Sequence, residues 1–359
     1  MKIKPPIGYH LKTIDYLSSL NFQSFPPDTS FINWRDKGIK GIKWNFYPEP
    51  TQPFIARIPM GRVLGTNGSV MTPDNKLLWD VSFEYNRLPP THSIFEKETL
   101  PPITYIPERL AVITFQVSFN YFHWMFDVLP RLELLRQSGF EFDKIVINRG
   151  KHYRKDYCQF QDESLQLLGI SKDQLLEVDA QTHLLAKELI VSSPTSFTAY
   201  VSKYVCQFLR KEFLVKGTIP KGTGYERIFI SREDALHRPL LNENEVFNVL
   251  EKYGFKKVKL STLSFIEKIQ LFQSAKVIVS PHGAGLTNIV FCNPATKVIE
   301  LFPPTYLVPC FFIISQHMDL RYDGLVGEAV PIEESRSIHS DPIFIDIEKL
   351  KRKLSVAGL

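Results

Sequence analysis

From Arg109 onward, short β-prone runs alternate with segments of helical periodicity, and this alternation constrains the fold more than any other feature of the chain. The run Leu110–Val117 is continuous and apolar, as in a strand that is buried on both faces. Strands that alternate with helices predict parallel sheets covered by helices. A glycine-rich stretch with Pro220, 217–224, separates two such runs and indicates a linker. The sequence therefore predicts an α/β fold with two Rossmann-like domains that face a cleft.

We predict four segments: an irregular, β-rich N-terminal segment over 1–105, a first Rossmann-like domain over 106–216, a second over 217–335, and a C-terminal tail helix over 336–359. In the first domain we predict strands at 110–117, 144–148 and 188–192 and helices at 120–137, 157–168 and 199–214. In the second domain we predict strands at 227–231, 256–260, 276–280 and 297–302 and helices at 242–253, 265–273 and 284–291. The predicted helix caps are Asn242 with Glu245, Ser264 with Glu267, and Asp346.

Composition excludes several classes of protein. Hydrophobic residues make up 44% of the 359 residues, which suits buried cores rather than disorder. The net charge of +5 comes from scattered lysines and arginines, not from the clustered basic stripe typical of nucleic-acid binders. The four cysteines form no CxxC pair, which argues against a zinc or redox motif and favours a reducing compartment. The N-terminus lacks a secretion signal and no run of about 18 apolar residues predicts a membrane span, so only peripheral membrane association stays open.

The segment KVIVSPHGAGLTNIVFCNPATKVIELF carries the first candidate site. After the strand come His282, Gly283, Ala284 and Gly285, and then a short helix. The unpaired N–H groups at a helix start, with glycines that allow close approach, favour a bound phosphate. Glu300, towards the end of the next strand, could accept hydrogen bonds from the ribose hydroxyls of a nucleotide. The competing interpretation is a tight turn with a histidine that faces solvent.

Arginines follow another strand of the same predicted sheet. Ser231 and Arg232 end the strand RIFIS, and Arg238 lies a short loop further on. Arginine neutralises phosphate through bidentate hydrogen bonds without a metal ion. Because parallel strands end at one edge of a sheet, we assign these residues to the same ligand as the glycine turn. Ion pairs with neighbouring acidic residues on a surface loop would explain them equally well.

The helix NYFHWMFDVLPRLELL is apolar almost all round, yet His123, Asp127 and Arg131 recur at the spacing of one helical face. Pro130 cannot donate to the carbonyl of Phe126 and predicts a kink beside this polar stripe. A carboxylate or imidazole there could take a proton from an attacking hydroxyl. Asp127 is the first candidate for this base and His123 the second, and either could orient the other. An internal hydrogen bond that only positions the helix is the alternative.

Three blocks, FNYFHWMFDVLPRLELL, ISREDALHRPLLNENEV and VSPHGAGLTNIVFCNPATKVIEL, resemble the glycosyltransferase 61 family of the capsular polysaccharide biosynthesis type. The resemblance implies a GT-B-type fold, a nucleotide-sugar donor that is often UDP-linked, and inversion at the anomeric carbon. It matches Ser231, Arg232 and Arg238 to one family block, His282, Gly283 and Ala284 to a second, and His123, Trp124 and Asp127 to a third.

The main hypothesis is a metal-independent glycosyltransferase, since the chain has no Asp-x-Asp motif. It needs no cofactor, and its partners are a nucleotide-sugar donor and a glycan or lipid-linked glycan acceptor. Donor binding is assigned to Ser231, Arg232, Arg238, His282, Gly283, Ala284, Gly285 and Glu300, and acceptor binding to Trp124 and Arg131. The alternatives are a non-catalytic nucleotide-sugar or glycan-binding protein and an NAD-dependent oxidoreductase, which the Asn288 at the third glycine position of the dinucleotide fingerprint disfavours. The sequence does not predict the oligomeric state.

Overall fold

The computed structural model describes residues 3–26, 52–149, 158–196, 200–215, 224–330 and 340–359. These residues form two compact units, unit 1 up to residue 196 and unit 2 from residue 200. Each unit contains a β-sheet and helices, and both sheets have parallel strands, which confirms the mixed α/β fold class. The predicted linker at 217–224 lies outside the described residues except for Gly224.

The described strands of unit 1 join one mixed sheet in the order β1-β6-β5-β4-β10-β7-β8-β9, with β3 also on β10 and β2 on β3. These strands are β1 Gly8–His10, β2 Phe22–Ser24, β3 Phe54–Pro59, β4 Arg62–Leu64, β5 Ser69–Met71, β6 Lys76–Leu78, β7 Thr104–Val112, β8 Lys144–Asn148, β9 Leu175–Val178 and β10 His183–Ser192. The helices of this unit are α1 Trp79–Ser82, α2 Tyr121–His123, α3 Arg131–Ser138 and α4 Gln159–Leu167, with a π-helical turn at Trp124–Val128 between α2 and α3.

The prediction that 1–105 forms a separate segment is wrong. Strands β3 and β4 pair antiparallel with β10, and β5 and β6 continue that pairing, so this part of the chain extends the sheet of unit 1. Its side chains Ile58, Val63 and Val70 are fully buried in the same core as Leu110 and Leu189. Strands of three to six residues are too short to be stable alone, so β3 and β4 depend on β10 for their hydrogen bonds, and β5 and β6 depend on β4 and on each other.

The parallel part of this sheet, β9-β8-β7-β10, has the strand order of half a doubly wound fold. The chain therefore reverses its winding direction between β7 and β10. The connection that leaves the carboxyl end of β7 leads directly into α2 and the π-helical turn. The helix that carries His123 and Asp127 thus starts at the topological switch point of unit 1.

The described strands of unit 2 form a fully parallel sheet in the order β12-β11-β13-β14-β15. These strands are β11 Arg227–Ile230, β12 Lys256–Val258, β13 Val277–Pro281, β14 Lys297–Phe302 and β15 Arg321–Val326. The helices are α5 Lys203–Arg210 with a π-helical turn at Lys211–Val215, α6 Glu243–Lys252, α7 Phe265–Ser274, a 3-10 helix at Ala284–Phe291, α8 Cys310–His317 and α9 Ile347–Val356.

Two predicted boundaries differ from the structure. Helix α5 belongs to unit 2, although we predicted it in the first domain. Helix α9 is not a separate tail, because Leu350 and Leu354 are fully buried in the core of unit 2. Strands β9 and β15 and helix α8 were not predicted at all.

The helix starts of unit 2 follow local sequence signals closely. Ser264 and Glu267 form the predicted capping box at α7, and Asp346 accepts a hydrogen bond from the N–H of Lys349 at α9. Asn242 precedes α6 as predicted, but its side chain does not cap the helix. It bonds to the backbone N–H and carbonyl of Ile345 instead, because that segment lies alongside and offers both groups.

Within the described ranges, every helix is too short or too polar to cross a bilayer.

We predict that Asn148→Leu lowers the free energy of unfolding by about 2–4 kcal/mol. Asn148 is buried at the end of β8, where its amide bonds both the N–H and the carbonyl of Phe115 and the carbonyl of Thr66. Leucine leaves the N–H of Phe115 buried without a partner and removes the bonds to both carbonyls, of which that of Phe115 still accepts from the N–H of Ser118. Urea unfolding measures the change, and the exposed Asn244→Leu in α6 is the control, with a change within about 0.5 kcal/mol. Equal effects of the two substitutions would contradict this role of Asn148.

Candidate functional site

The sheet of unit 2 has its topological switch point between β11 and β13. In open parallel sheets, ligands bind beyond the carboxyl ends of the strands at such a point. Ser231 and Arg232 follow β11 directly, and His282 and Gly283 follow β13. The structure thus brings together the two sequence blocks that we assigned to one ligand.

The Arg232 side chain lies against the backbone of Gly283. A Cβ atom at position 283 would lie 2.0 Å from its Nη1 atom, so only glycine permits this approach. The guanidinium donates from Nε to the carbonyl of Arg238 at 3.1 Å and from Nη2 to the carbonyl of His237. Two backbone segments, residues 237–238 and the turn at Gly283, therefore fix the position of the guanidinium at the end of the sheet.

Arg238 lies beside it in a backbone conformation that side chains rarely adopt, with φ of 53°. Its Nε donates to the carbonyl of His282 at 3.4 Å, and its guanidinium lies 5.3 Å from the ring centre of Tyr306. Burial and the neighbouring Arg238 lower the pKa of Arg232 to about 10, and burial also lowers the pKa of Arg238. Arg232 keeps its charge at neutral pH, so this edge of the sheet is a positive site that an anion would stabilise.

Ser231 does not present a free hydroxyl to a ligand, which corrects its assignment to donor binding. Its Oγ donates to Oε1 of Glu243 at 2.6 Å, and the N–H of Arg232 donates to Oε2 of the same carboxylate at 3.0 Å. Glu243 is buried at the start of α6 and also contacts Lys257. Ser231 and Glu243 thus fix the turn from which Arg232 projects. Sequence reasoning missed Glu243, although its place in the first turn of a helix after the arginine loop could have indicated it.

Glu300 is also corrected, because it is fully buried and cannot reach a ribose at the surface. It lies within β14, and the strand continues to Phe302. One carboxyl oxygen contacts Nδ1 of His282, and the other accepts a hydrogen bond from the hydroxyl of Tyr322. Both oxygens of Glu300 thus face side chains of the protein, and sequence reasoning missed Tyr322 as its partner.

The glycine turn itself has the predicted form. The chain passes from β13 through His282 and Gly283 into the 3-10 helix at Ala284–Phe291, and Ala284 and Gly285 are partly exposed. The first N–H groups of a helix have no partners within it and point out from its start. The side chain of Asn288 is buried and donates to the carbonyl of Gly285 at 3.0 Å, which closes the turn.

In unit 1, His123 and Asp127 form a hydrogen-bonded pair. Nδ1 of His123 lies 2.6 Å from Oδ2 of Asp127. The His123 side chain is 22% exposed and that of Asp127 only 6%. The carboxylate therefore orients the imidazole, and the second ring nitrogen, Nε2, is the one left for a ligand. This ordering favours His123 over Asp127 as the base, the reverse of the order that we assigned from the sequence.

Three aromatic rings surround His123. The ring centres of Tyr85, Phe115 and Phe122 lie 5.3–5.7 Å from that of the imidazole. Such an apolar wall excludes water and strengthens the interaction between the imidazole and the carboxylate. Tyr85 comes from the N-terminal segment, where no periodicity or motif in the sequence indicated a site residue.

The helix is irregular beside this pair, as Pro130 predicted. The N–H of Leu129 donates to the carbonyl of Trp124, five residues back, which defines a π-helical turn. The Phe126 carbonyl that Pro130 leaves free accepts a hydrogen bond from the hydroxyl of Thr195 at 3.2 Å. Single π-helical turns occur frequently at functional sites.

Trp124 and Arg131, which we assigned to acceptor binding, are both in the interior of unit 1. Trp124 is fully buried, and its Nε1 donates to Oγ of Ser164 at 2.9 Å. Arg131 is 2% exposed and donates to the backbone carbonyls of Asp127 and Thr114. Burial lowers the pKa of Arg131 to about 10, which leaves it charged next to Asp127. These side chains support the helix and do not reach an acceptor.

Across the residues that the structure describes, no cluster of three or more histidine, cysteine or carboxylate side chains could hold a metal ion.

The family model described as Glycosyltransferase 61 matches residues 121–299, which include the helix of His123, the arginine loop and the glycine turn. The chain belongs to the glycosyltransferase 61 family.

Curated relatives match over shorter stretches. The β-1,2-xylosyltransferase RCN11 of Oryza sativa subsp. japonica is 31% identical over 33% of this chain and 25% of its own length. The β-1,2-xylosyltransferase of Arabidopsis thaliana is 32% identical over 37% of this chain and 28% of its own length. The EGF domain-specific O-linked N-acetylglucosamine transferase of Bos taurus is 31% identical over 23% of this chain and 16% of its own length. The similarity thus spans about a quarter or less of each relative.

We predict that Gly283→Ala lowers the free energy of unfolding by about 2 kcal/mol, because the new methyl group displaces the Arg232 guanidinium from its two carbonyl partners. Thermal or urea unfolding measures this effect. Gly285→Ala is the matched control, since its Cβ would meet the flexible tip of Leu260 at 3.0 Å and Cγ2 of Ile230 at an ordinary contact distance of 3.4 Å. An equal loss in both variants would show that the contact between Arg232 and Gly283 has no special role.

Proposed function

We propose that this protein is a glycosyltransferase that moves a sugar from a nucleotide-sugar donor to a hydroxyl group of a glycan. The observation that carries the proposal is the meeting of Arg232, His282 and Gly283 at the switch point of the parallel sheet in unit 2. Membership of the glycosyltransferase 61 family and the similarity to sugar transferases support it.

The donor's diphosphate binds at the glycine turn of unit 2. Arg232 and Arg238 are like charges held side by side with restricted access to water, and an anion between them relieves their repulsion. Arginine also offers paired N–H groups that match phosphate oxygens. When the sugar leaves, negative charge grows on the diphosphate, and fixed positive groups stabilise that charge most strongly in a site of low dielectric constant.

The acceptor hydroxyl loses its proton to Nε2 of His123. Asp127 accepts the Nδ1–H hydrogen bond, fixes the tautomer in which Nε2 is unprotonated, and stabilises the imidazolium that forms. The nearly complete burial of Asp127 suits this orienting role better than direct contact with the acceptor.

The finer assignments are part of the proposal. Inversion at the anomeric carbon, a UDP-linked donor, a GT-B-type arrangement and a role in capsular or extracellular polysaccharide synthesis rest on the family resemblance. A lipid-linked acceptor and a cytoplasmic location at the inner face of a membrane are further proposals. The four cysteines, all buried and without disulfide bonds, support a reducing compartment.

We expect His123→Gln and Asp127→Asn each to lower kcat for sugar transfer by about 10²–10⁴-fold. The dissociation constant for UDP, measured by calorimetry, stays within about threefold of wild type, because neither residue belongs to unit 2. Asp173→Asn, an exposed aspartate of the same unit, is the control for the charge change.

Transfer within a few-fold of wild type in both variants would remove the pair from catalysis. If wild-type protein binds nucleotide-sugars but neither transfers nor hydrolyses them, the non-catalytic alternative replaces the enzyme.

We predict that sugar transfer persists in excess EDTA, with a rate within about twofold of that in Mg²⁺ or Mn²⁺. Arg232 and Arg238 supply the positive charge that a divalent ion provides in other transferases. Initial rates with and without chelator test this. If EDTA abolishes activity and added Mn²⁺ restores it, the metal-independent mechanism is contradicted. The positive control is Arg232→Gln, which we expect to weaken UDP binding at least about tenfold.

A further inference from the structure

Three side chains form a hydrogen-bonded row across three neighbouring strands, next to the proposed phosphate site. His282 follows β13, Glu300 lies in β14 and Tyr322 lies in β15. Nδ1 of His282 contacts Oε1 of Glu300, and the hydroxyl of Tyr322 donates to Oε2. His282 is 5% exposed and Glu300 is fully buried, so a ligand at this edge would meet the imidazole and not the carboxyl group.

Aromatic rings pack around the imidazole of this row. The ring of Phe302 stacks on the imidazole at 5.5 Å, and the rings of Tyr306 and Phe311 pack against it at 5.4 and 5.5 Å. The titratable and charged groups packed around the His282–Glu300 pair are Arg232, Arg238, Tyr306, Cys310 and Tyr322.

This environment favours the neutral form of each member. Burial raises the pKa of Glu300 well above its usual range, and burial with Arg238 and Arg232 holds the pKa of His282 well below its own. Burial raises the pKa of Tyr322 well above its usual range, so the phenol keeps its proton and donates it. A neutral carboxyl group has one O–H donor and one carbonyl oxygen.

If Glu300 is protonated and Tyr322 is the donor, the hydrogen bonds allow one arrangement. Oε2 accepts from Tyr322, so it is the carbonyl oxygen, and Oε1 carries the proton. Oε1–H donates to Nδ1 of His282, which must be unprotonated in order to accept. In neutral imidazole the other nitrogen carries the hydrogen, and Nε2 is therefore a donor.

We propose that protonated Glu300, oriented by Tyr322, fixes His282 in the Nε2–H tautomer and so presents a neutral hydrogen-bond donor to the donor diphosphate. This inference rests on the proposed function and makes Glu300 and Tyr322 positioning residues. A charged imidazolium beside Arg232 and Arg238 would gather three positive charges in one small volume. A neutral N–H recognises the phosphate without that repulsion, as neutral imidazoles do at other anionic centres.

Glutamine at position 300 separates this role from simple packing. Its amide group donates to Nδ1 and accepts from Tyr322, as the protonated acid does. Glu300→Met has a similar length but offers neither hydrogen bond. Tyr322→Phe keeps the ring that packs on Phe312 and removes only the hydroxyl.

The experiment is ¹⁵N NMR of the imidazole nitrogens in the free, full-length protein at neutral pH, with the His282 signals assigned from their absence in His282→Asn. We expect an Nε2–H tautomer in wild type and in Glu300→Gln, and its loss in Glu300→Met. UDP affinity stays within about threefold of wild type in Glu300→Gln and falls about tenfold in Glu300→Met.

A second readout does not need a ligand. Glu300 binds its proton more tightly in the folded chain than in the unfolded chain, so its contribution to stability is present below about pH 4 and is lost as pH rises. The Tm of wild type should therefore fall relative to Glu300→Gln as pH rises above about 4. Parallel Tm curves for the two proteins would contradict a protonated Glu300.

The inference is overturned if wild type shows an Nδ1–H tautomer or an imidazolium at His282. It is also overturned if Glu300→Gln and Glu300→Met lose UDP affinity equally. Failure of wild-type protein to bind UDP at all would instead contradict the proposed function, because the tautomer is measured without any ligand. Retention of the tautomer in Glu300→Met would show that packing alone sets the orientation of His282, and this too overturns the inference.

Discussion

The contact between the Arg232 guanidinium and the backbone of Gly283 is the constraint on which the proposed donor site depends. It joins the ends of β11 and β13, the two strands between which the sheet of unit 2 reverses its winding. The carbonyl groups of the arginine loop accept hydrogen bonds from the guanidinium and fix its charge in place, while Asp234 and Glu243 act on that charge from a distance. The buried Glu243 reaches Ser231 and the N–H of Arg232 rather than the guanidinium, and it thereby anchors the loop. A preorganised positive charge is what a leaving diphosphate requires.

In unit 1, an irregularity in a buried helix orients the proposed base. The π-helical turn and Pro130 leave backbone carbonyls without helical partners, and leaving them unsatisfied in the interior would cost about 1–3 kcal/mol each. Thr195 and Arg131 provide those partners, which explains why a charged side chain is tolerated at 2% exposure. The irregular helix thus depends on groups from outside it, and the orientation of His123 depends on the helix.

The sequence predicted what local rules determine. Parallel strands end at one edge, so Arg232 and His282 could be assigned to one site, and the capping box at Ser264 fixed the start of α7. It could not predict what depends on tertiary packing. The π-helical turn adds one residue to the helical repeat, so Arg131 could not be placed from the regular spacing of 3.6 residues. Strand β15, RYDGLV, lacks a continuous apolar run, so the sequence did not predict this strand. Tyr322 could therefore not be predicted as a partner for Glu300.

Burial changes the hydrogen-bonding role that we assign to Glu300. A carboxylate near a strand end in a nucleotide-binding sheet suggests contact with ribose, but full burial makes its charged form unfavourable. As a neutral acid it becomes a donor, and the histidine that receives its hydrogen bond becomes a donor in turn at the opposite nitrogen. The positive charge of the site then resides on the arginines, because Arg232 stays charged at neutral pH although burial lowers its pKa. The neutral histidine donates a hydrogen bond of fixed direction and adds no charge. Recognition of the diphosphate in this way does not depend on the protonation of a histidine, a residue type whose unperturbed pKa lies near neutral pH.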